Sequence, residues 1–265
     1  MVVAPAAPPG PTERNDEELV FVQTGTLPVI VSAPHGGRQP IPDVPERLGK
    51  GIPNFQTVLD ANTDRLTEAF AAELEKHLDG KPWLVIARFE RKALDVNRPA
   101  EHAYESEKAK PVYDAYHAAL EAACRAVRKK FGRGILLDIH GQGDFPDSLC
   151  RGTLNGKTVT LLKERFGWPA VNGKRSILGQ MERSGYKVRP SGGGADDARE
   201  DPKFVGGYIV GTYGSHTGHG IDAIQLEFGT ELRRPDRGRL RKTARDLAEA
   251  VAVFHDEYLK DPDPE

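Results

Sequence analysis

Cysteine is the first scarcity: Cys124 and Cys150 are the only two in 265 residues. Two thiols allow at most one disulfide, which excludes a disulfide-stapled framework and a cysteine-built zinc site. Long apolar runs are missing as well. None approaches the roughly 20 residues needed to span a bilayer, and the N-terminus lacks the basic start and apolar centre of a secretion signal. An excess of either charge is lacking too: 37 Lys and Arg against 39 Asp and Glu give a formal net charge of -2. That balance exerts no global pull toward nucleic acid or an anionic membrane, so an acidic ligand must be recognised locally. Two catalytic signatures are also absent. No Gly-x-Ser-x-Gly elbow occurs, which disfavours an α/β-hydrolase serine site. Ser191-Gly192-Gly193-Gly194 lacks the Lys-Ser/Thr ending of a phosphate loop, and Asp196 and Asp197 beside it disfavour phosphate further. With Arg199 nearby, that segment reads as a flexible edge of a pocket. A soluble cytoplasmic protein is expected.

What is present is ordinary in bulk, with 29% charged and 38% hydrophobic residues, enough for one sizeable α/β core or two small domains. Residues 1–18, rich in Pro and Ala before an acidic stretch, and residues 261–265 read as disordered tails. Residues 19–260 read as a single catalytic domain without repeat or linker. Short apolar runs alternate with helical spacings. Leu27 to Ala33, Trp83 to Phe89, Gly134 to Ile139, Tyr208 to Tyr213 and Ile221 to Phe228 read as strands. Val58 to Leu78, Pro111 to Lys130, Ser176 to Gly185 and Arg237 to Leu259 read as helices. Alternation of this kind predicts a three-layer α/β sandwich, a mixed and mostly parallel sheet covered by helices. Ligand sites in such sheets gather at the carboxyl ends of strands.

Three predicted strands end in chemistry. The first delivers His35 into a turn, Pro34-His35-Gly36-Gly37, whose glycines allow close approach to the backbone. In Ile135-Leu136-Leu137-Asp138-Ile139-His140, the two-residue period puts Leu136, Asp138 and His140 on one face. An Asp and a His sharing the face of an apolar strand are hard to explain as packing, although a lone histidine is often a hydrogen-bonded structural residue. In the last strand Gln225 and Glu227 share a face, and a glutamate there risks burial without compensation. Imidazoles, a carboxylate and a nearby base are what zinc hydrolysis requires, and ligands distant in sequence suit a catalytic site better than a compact structural one. The residues themselves thus point to a mononuclear metal hydrolase and name no substrate.

The same residues belong to a longer pattern. Pro34-His35-Gly36-Gly37, Asn62-Thr63-Asp64-Arg65 and Leu94-Asp95-Val96-Asn97-Arg98-Pro99 come first. Asp138-Ile139-His140-Gly141, Gly206-Gly207-Tyr208-Ile209 with Tyr213-Gly214, and Ala223-Ile224-Gln225-Leu226-Glu227 follow. In this order and spacing, over residues 27–232, they resemble the N-formylglutamate amidohydrolase family. The resemblance implies a fold similar to zinc carboxypeptidases, one zinc ion per chain, and cleavage of a small acidic amide, N-formyl-L-glutamate, within histidine degradation. It implies His35 and His140 as imidazole ligands and Asp64 as the acidic ligand, with Asp60 an alternative in the same stretch. It further implies Glu227 as general base and Asn97 and Arg98 as a grip on the substrate carboxylate. Arg98 also counts as a catalytic residue, fixing the substrate and offering positive charge to the oxyanion. Asp138 is expected to orient a ligand imidazole, while Tyr208 and His216 line the pocket. His102, His117, His219 and His255 read as surface or structural residues.

Three departures bear on substrate rather than metal: Asn62 where a second aspartate is common, Gly141-Gln142 where a serine is common, and Val205 at an often basic place. They leave a peptidase or an N-acyl amino acid deacylase as alternatives, and a non-catalytic, metal-stabilised binding protein as another class. Neither a nucleic-acid nor a membrane partner is expected, and the oligomeric state is not legible.

Overall fold

The computed structural model describes residues 18–191, 199–218 and 221–260. The expected tails at 1–17 and 261–265, the loop residues 192–198 and His219 lie outside the described residues. The strands are β1 (Val20–Gln23), β2 (Val29–Ala33), β3 (Trp83–Ala87), β4 (Ile135–Gln142), β5 (Ser148–Gly152), β6 (Lys187–Arg189) and β7 (Asp222–Gly229). The helices are α1 (Thr63–His77), α2 (Ala100–Ala103), α3 (Lys110–Phe131), α4 (Thr160–Phe166), α5 (Pro169–Asn172), α6 (Ile177–Arg183), α7 (Tyr208–Tyr213) and α8 (Arg239–Phe254).

The sheet runs β1-β3-β2-β4-β7-β5-β6. Its centre, β3-β2-β4-β7, is parallel. β1 joins β3 antiparallel, and β5 joins β7 antiparallel while pairing β6 in parallel. This is the mixed, mostly parallel sheet that the sequence predicts.

Alternation along the central strands divides the core into two layers. Val29, Val31, Ile135, Leu137, Ile139, Ile224, Leu226 and Phe228 face Leu66, Phe70 and Leu74 of α1 and Leu247, Val251 and Phe254 of α8. Ile30, Val85, Leu136 and Ala223 face Tyr116, Leu120 and Val127 of α3 and Ile209 and Val210 of α7. The polar residues Ser32, Asp138, His140, Gln225 and Glu227 occupy the same parity as this second set, so they emerge together near the strand ends. Helix termini follow local chemistry. α3 opens with Pro111 in its first turn, closes on Gly132 at φ 68, and carries Arg128, Lys129 and Lys130 in its last turn, where the dipole favours cations.

The structure corrects several elements. Tyr208 to Tyr213 is a helix rather than a strand. Its aromatic and β-branched residues favour a strand, yet the Asn97 side chain accepts the Ile209 N–H at 2.8 Å and thereby anchors the first turn. Ile209, Val210 and Tyr213 are then buried. Tertiary anchoring overrides propensity here. α1 begins at Thr63 rather than Val58, because Asn62 adopts a left-handed conformation (φ 67) immediately before it. α8 stops at Phe254, and His255–Leu259 form a π-helical turn. β1, β5 and β6 were not foreseen; they are short, and Ser148-Leu149-Cys150-Arg151-Gly152 lacks period-two alternation. Cys124 and Cys150 are both free and buried. Among the described residues no helix is long and apolar enough to cross a membrane.

Asp222 opens β7 in a buried position, with Oδ1 accepting the Leu162 N–H at 3.1 Å. Burial pushes its carboxyl up to about 6. The folded chain therefore keeps a proton there that the unfolded chain, near 3.9, has released. This group favours the folded state below about pH 4, and that contribution is lost as pH rises through about 6. Asp222→Asn is expected to stabilise the protein at pH 8 by up to about 3 kcal/mol relative to its effect at pH 4. Thermal melts of both proteins across that range check this; a constant difference in Tm contradicts it.

Candidate metal centre

β2 carries the chain into the turn holding His35, and the following glycine lets that turn press on α1. A Cβ at Gly36 would lie 2.5 Å from the Asp64 backbone nitrogen. The same contact sets which aspartate meets the histidine. The Asp60 N–H donates to the His35 carbonyl at 3.0 Å, and the Asp60 carbonyl accepts from the Thr63 N–H at 3.2 Å. Asp60 is thereby pinned between the histidine turn and the start of the helix.

The result is a buried cluster. One potential ligand atom from each of His35, Asp60 and His140 lies within 4.8 Å of the other two. Nδ1 of His35 and Nδ1 of His140 are each 3.4 Å from the same oxygen, Asp60 Oδ2. The rings stand edge to face, with centroids 4.9 Å apart. Each far nitrogen is held by another carboxylate: His35 Nε2 lies 2.7 Å from Asp95 Oδ1, and His140 Nε2 lies 2.8 Å from Asp138 Oδ2. A carboxylate accepts, so both Nε2 atoms carry the proton and both Nδ1 atoms present a lone pair. The buried Nδ1 of His35 has no hydrogen-bond partner. Two imidazole nitrogens and one carboxylate oxygen converge on one buried point, a donor set that suits a divalent ion of borderline softness. Carboxylates behind the imidazoles are the usual backing of such ligands.

Around this core the sheet register does the placing. Asp138 stands beside Ser32 on β2 and Gln225 on β7, and His140 stands beside Glu227. The Ser32 hydroxyl donates to Asp138 Oδ1, and Gln225 Nε2 donates to Glu227 Oε1 at 2.9 Å. Burial pushes the Glu227 carboxyl up; His140 opposes this and Asp60 reinforces it. Burial likewise opposes ionisation of Asp60, but its contacts with His140 and His35 hold it well below the usual carboxylate range. Asp95 is also buried, yet His35 and Arg91 keep it ionised. For His140 burial disfavours the cation, and Asp138 outweighs it, so its affinity for a proton is raised.

The sequence-predicted residues separate into groups. His35, His140 and Glu227 come together. Asp64 does not join them; it lies in the first turn of α1, in the field of Arg88, Glu68 and Arg38, and burial raises its pKa. Asp60 takes the place beside the imidazoles. Asn97 is close, with Nδ2 3.4 Å from His140 Nε2, but it is buried and its Oδ1 is already engaged by α7. Arg98 donates to the carbonyls of Asn97 and Asn54 at 3.1 and 3.2 Å, and its charge reaches Asp95. Tyr208 neighbours Tyr113, whose hydroxyl donates to the Arg98 carbonyl at 3.1 Å. His216 lies in the connection between α7 and β7 and is not in the cluster; burial and the charge of Lys157 lower its pKa. Arg199 lines a cavity of about 710 Å³ with Ser148, Tyr186, Arg189 and Ser191, none of them in the cluster.

Two arginines were missed by the sequence reading. Arg91 donates through Nε to Asp95 Oδ2 at 3.0 Å, and its Nη1 lies 3.6 Å from Asp60 Oδ1. It thus occupies the outer oxygens of both carboxylates next to His35. Arg233, buried, is the second. Spacing alone offered no signal for either.

With the geometry established, comparison with known proteins shows where the architecture recurs. No protein-family model matches the chain, and no curated protein matches it. Solved structures do. A crystal structure of an N-formylglutamate amidohydrolase from Ralstonia eutropha JMP134 matches with a TM-score of 0.60 at 19% identity, covering 91% of this chain and 97% of that one. The crystal structure of gene product Atu2144 from Agrobacterium tumefaciens matches with a TM-score of 0.57 at 14% identity, covering 92% and 98%. The chain shares its fold with an N-formylglutamate amidohydrolase. That likeness agrees with the resemblance carried by the sequence blocks, and at these identities it is one of fold.

If Asp60 rather than Asp64 completes the ligand set, Asp60→Ala is expected to release the ion and Asp64→Ala to retain it. Elemental analysis of the dialysed proteins, beside wild type, distinguishes the two. Retention in Asp60→Ala together with loss in Asp64→Ala reverses the assignment.

Proposed function

We propose that this protein is a zinc-dependent amidohydrolase that cleaves the amide of a small N-acyl acidic amino acid, with N-formyl-L-glutamate the foremost candidate. The observation that carries the reading is the convergence of His35 Nδ1 and His140 Nδ1 on Asp60 Oδ2, with Glu227 beside His140 on the next strand. His35, Asp60 and His140 would hold the ion. Zinc at such a set supplies Lewis acidity, acidifying water from a pKa of 15.7 toward about 7 and polarising a carbonyl.

The remaining work falls to the chain's own groups. Glu227, a buried carboxylate with a raised pKa, takes a proton from the attacking water and returns it to the departing nitrogen. The balance is one water consumed, one C–N bond broken, and a carboxylic acid and an amine released; from N-formyl-L-glutamate these are formate and glutamate. Asp95 and Asp138 keep the imidazoles in one tautomer and one orientation throughout. Arg98 is the candidate clamp for the substrate's acid end, since a guanidinium binds carboxylate in a planar, two-point geometry. To do so its fork must exchange the Asn54 carbonyl for the substrate. Asn97, whose Oδ1 accepts the Ile209 N–H, contributes by anchoring the first turn of α7 beside the site.

The fold and the sequence blocks support hydrolysis more directly than they support one acyl group, and the departures at Asn62, Gly141-Gln142 and Val205 are places where the substrate pocket can differ. Release of formate from N-formyl-L-glutamate by the zinc-loaded protein is the expected result. Glu227→Gln is expected to lower kcat by about 10²–10⁴-fold while zinc stoichiometry stays at the wild-type value. Turnover confined to peptides or longer acyl groups would reassign the substrate. Undiminished turnover in Glu227→Gln, or no hydrolysis of any acidic amide with zinc bound, would favour a metal-stabilised binding protein.

A further inference from the structure

Arg233 is a buried arginine whose donors are directed inward rather than toward solvent. Its Nε donates to the Phe228 carbonyl at 3.1 Å and its Nη2 to the Gln142 carbonyl at 3.3 Å, while Nη1 donates to the Ala61 carbonyl. Each acceptor is next to, or two residues from, a member of the polar cluster. Ala61 follows Asp60, Phe228 follows Glu227, and Gln142 lies two residues beyond His140. The chain makes room for the group at Gly141, where an added Cβ would sit 2.6 Å from both Cζ and Nε of Arg233. The Gly141 N–H in turn donates to Asp60 Oδ2 at 3.0 Å. Burial lowers the proton affinity of the guanidinium, and the charges of Asp60 and Glu227 offset this in part.

From this geometry we infer that Arg233 is the positioning residue of the centre: one planar cation ties together the three segments that carry Asp60, His140 and Glu227. Three separate strand ends and loops have no mutual backbone ladder beyond the β4–β7 pairing, and Asp60 belongs to no strand. A flat fork with donors on several edges can bridge three carbonyls; an ammonium is a point charge and cannot reproduce that spread. Arg233 acts through the ligands, so its loss is expected to loosen metal binding and misplace Glu227 rather than to remove a reacting group. Outer partners of metal ligands typically carry 10–100-fold in affinity.

This inference rests on the metal reading above, and the test separates the two. Zinc affinity is measured by chelator competition for wild type, Arg233→Lys, Arg233→Ala and the surface control Arg234→Lys, with the cobalt-substituted proteins compared by visible absorption. The expected outcome is a roughly 10–100-fold weaker zinc affinity and an altered cobalt spectrum in Arg233→Lys, with Arg234→Lys unchanged. Guanidinium ion added to Arg233→Ala is expected to restore part of the wild-type spectrum. Gly141→Ala, which displaces the same guanidinium while leaving Arg233 in place, is expected to perturb the cobalt spectrum in the same sense and serves if the Arg233 variants do not fold. Wild-type zinc affinity and spectrum in Arg233→Lys, or a fall in apo-protein Tm with neither changed, would overturn the inference and leave the metal reading standing. Failure of wild type to bind zinc or cobalt would instead overturn the metal reading.

Discussion

The structure turns on one oxygen. Asp60 Oδ2 lies 3.4 Å from two imidazole nitrogens and accepts a backbone N–H from Gly141, all inside a buried cluster. Bringing these groups out of water is costly unless each is paired, because an isolated buried charge loses far more solvation than packing returns. The fold meets that demand by layers. The imidazoles point their Nδ1 atoms inward because Asp95 and Asp138 capture their Nε2 protons, and those carboxylates are fixed in turn by Arg91 and Ser32. Remove any outer partner and the inner lone pairs lose their direction.

Counting charge makes the same point from another side. Asp60, Asp95 and Glu227 form an acidic cluster with two imidazoles, and Asp138 adds a fourth carboxyl. Arg91 and Arg233 supply positive charge to it, Arg91 beside Asp60 and Asp95 and Arg233 in the field of Asp60 and Glu227. The raised proton affinity of His140 is the signature of a site with surplus negative charge. A divalent ion can take over the neutralising role of such a proton while using the same lone pair. Proton and metal therefore compete for one position, which is how ligand sets of this kind couple metal affinity to pH. Glu227 lies in the same field, where burial and Asp60 push its pKa up and His140 opposes them. That is the condition a proton shuttle needs.

Much of this was legible because strand periodicity is rigid. Once Ile135 to His140 is read as a strand, Asp138 and His140 must share a face, and a parallel neighbour carrying Gln225 and Glu227 must present them to the same space. The residues alone could not choose between Asp60 and Asp64, since both lie near the start of one helix, and the resemblance favoured Asp64. Asp60 is brought to the histidines by a tertiary bond, its N–H to the His35 carbonyl, beside the close contact of Gly36 with the start of α1. Arg233 was invisible for a related reason: its acceptors are carbonyls, and every residue has one. The helix at Tyr208 was misread because strand-favouring residues were the only local signal, whereas its anchor, Asn97, is over a hundred residues away in the chain.

The two parts of the centre differ in how they are built. His35, His140 and Glu227 stand at or just after the ends of paired strands, where register fixes them, while Asp60 comes from the connection between β2 and α1. The rim is different. Between β2 and α1 the chain runs without helix or strand apart from the bridge at Gln39, and this stretch supplies the Asn54 carbonyl held by Arg98. Glu105 secures its Leu48 and Gly49 amides, and Arg47 reaches across to the Gln56 and Arg91 carbonyls. Under the proposed function, recognition of an acid end through Arg98 involves this loop, which also carries Asp60. A loop can change its side chains and length at little cost to the sheet beneath it. Such a division lets the fold persist at 19% identity to a structural neighbour while the loop above the sheet changes.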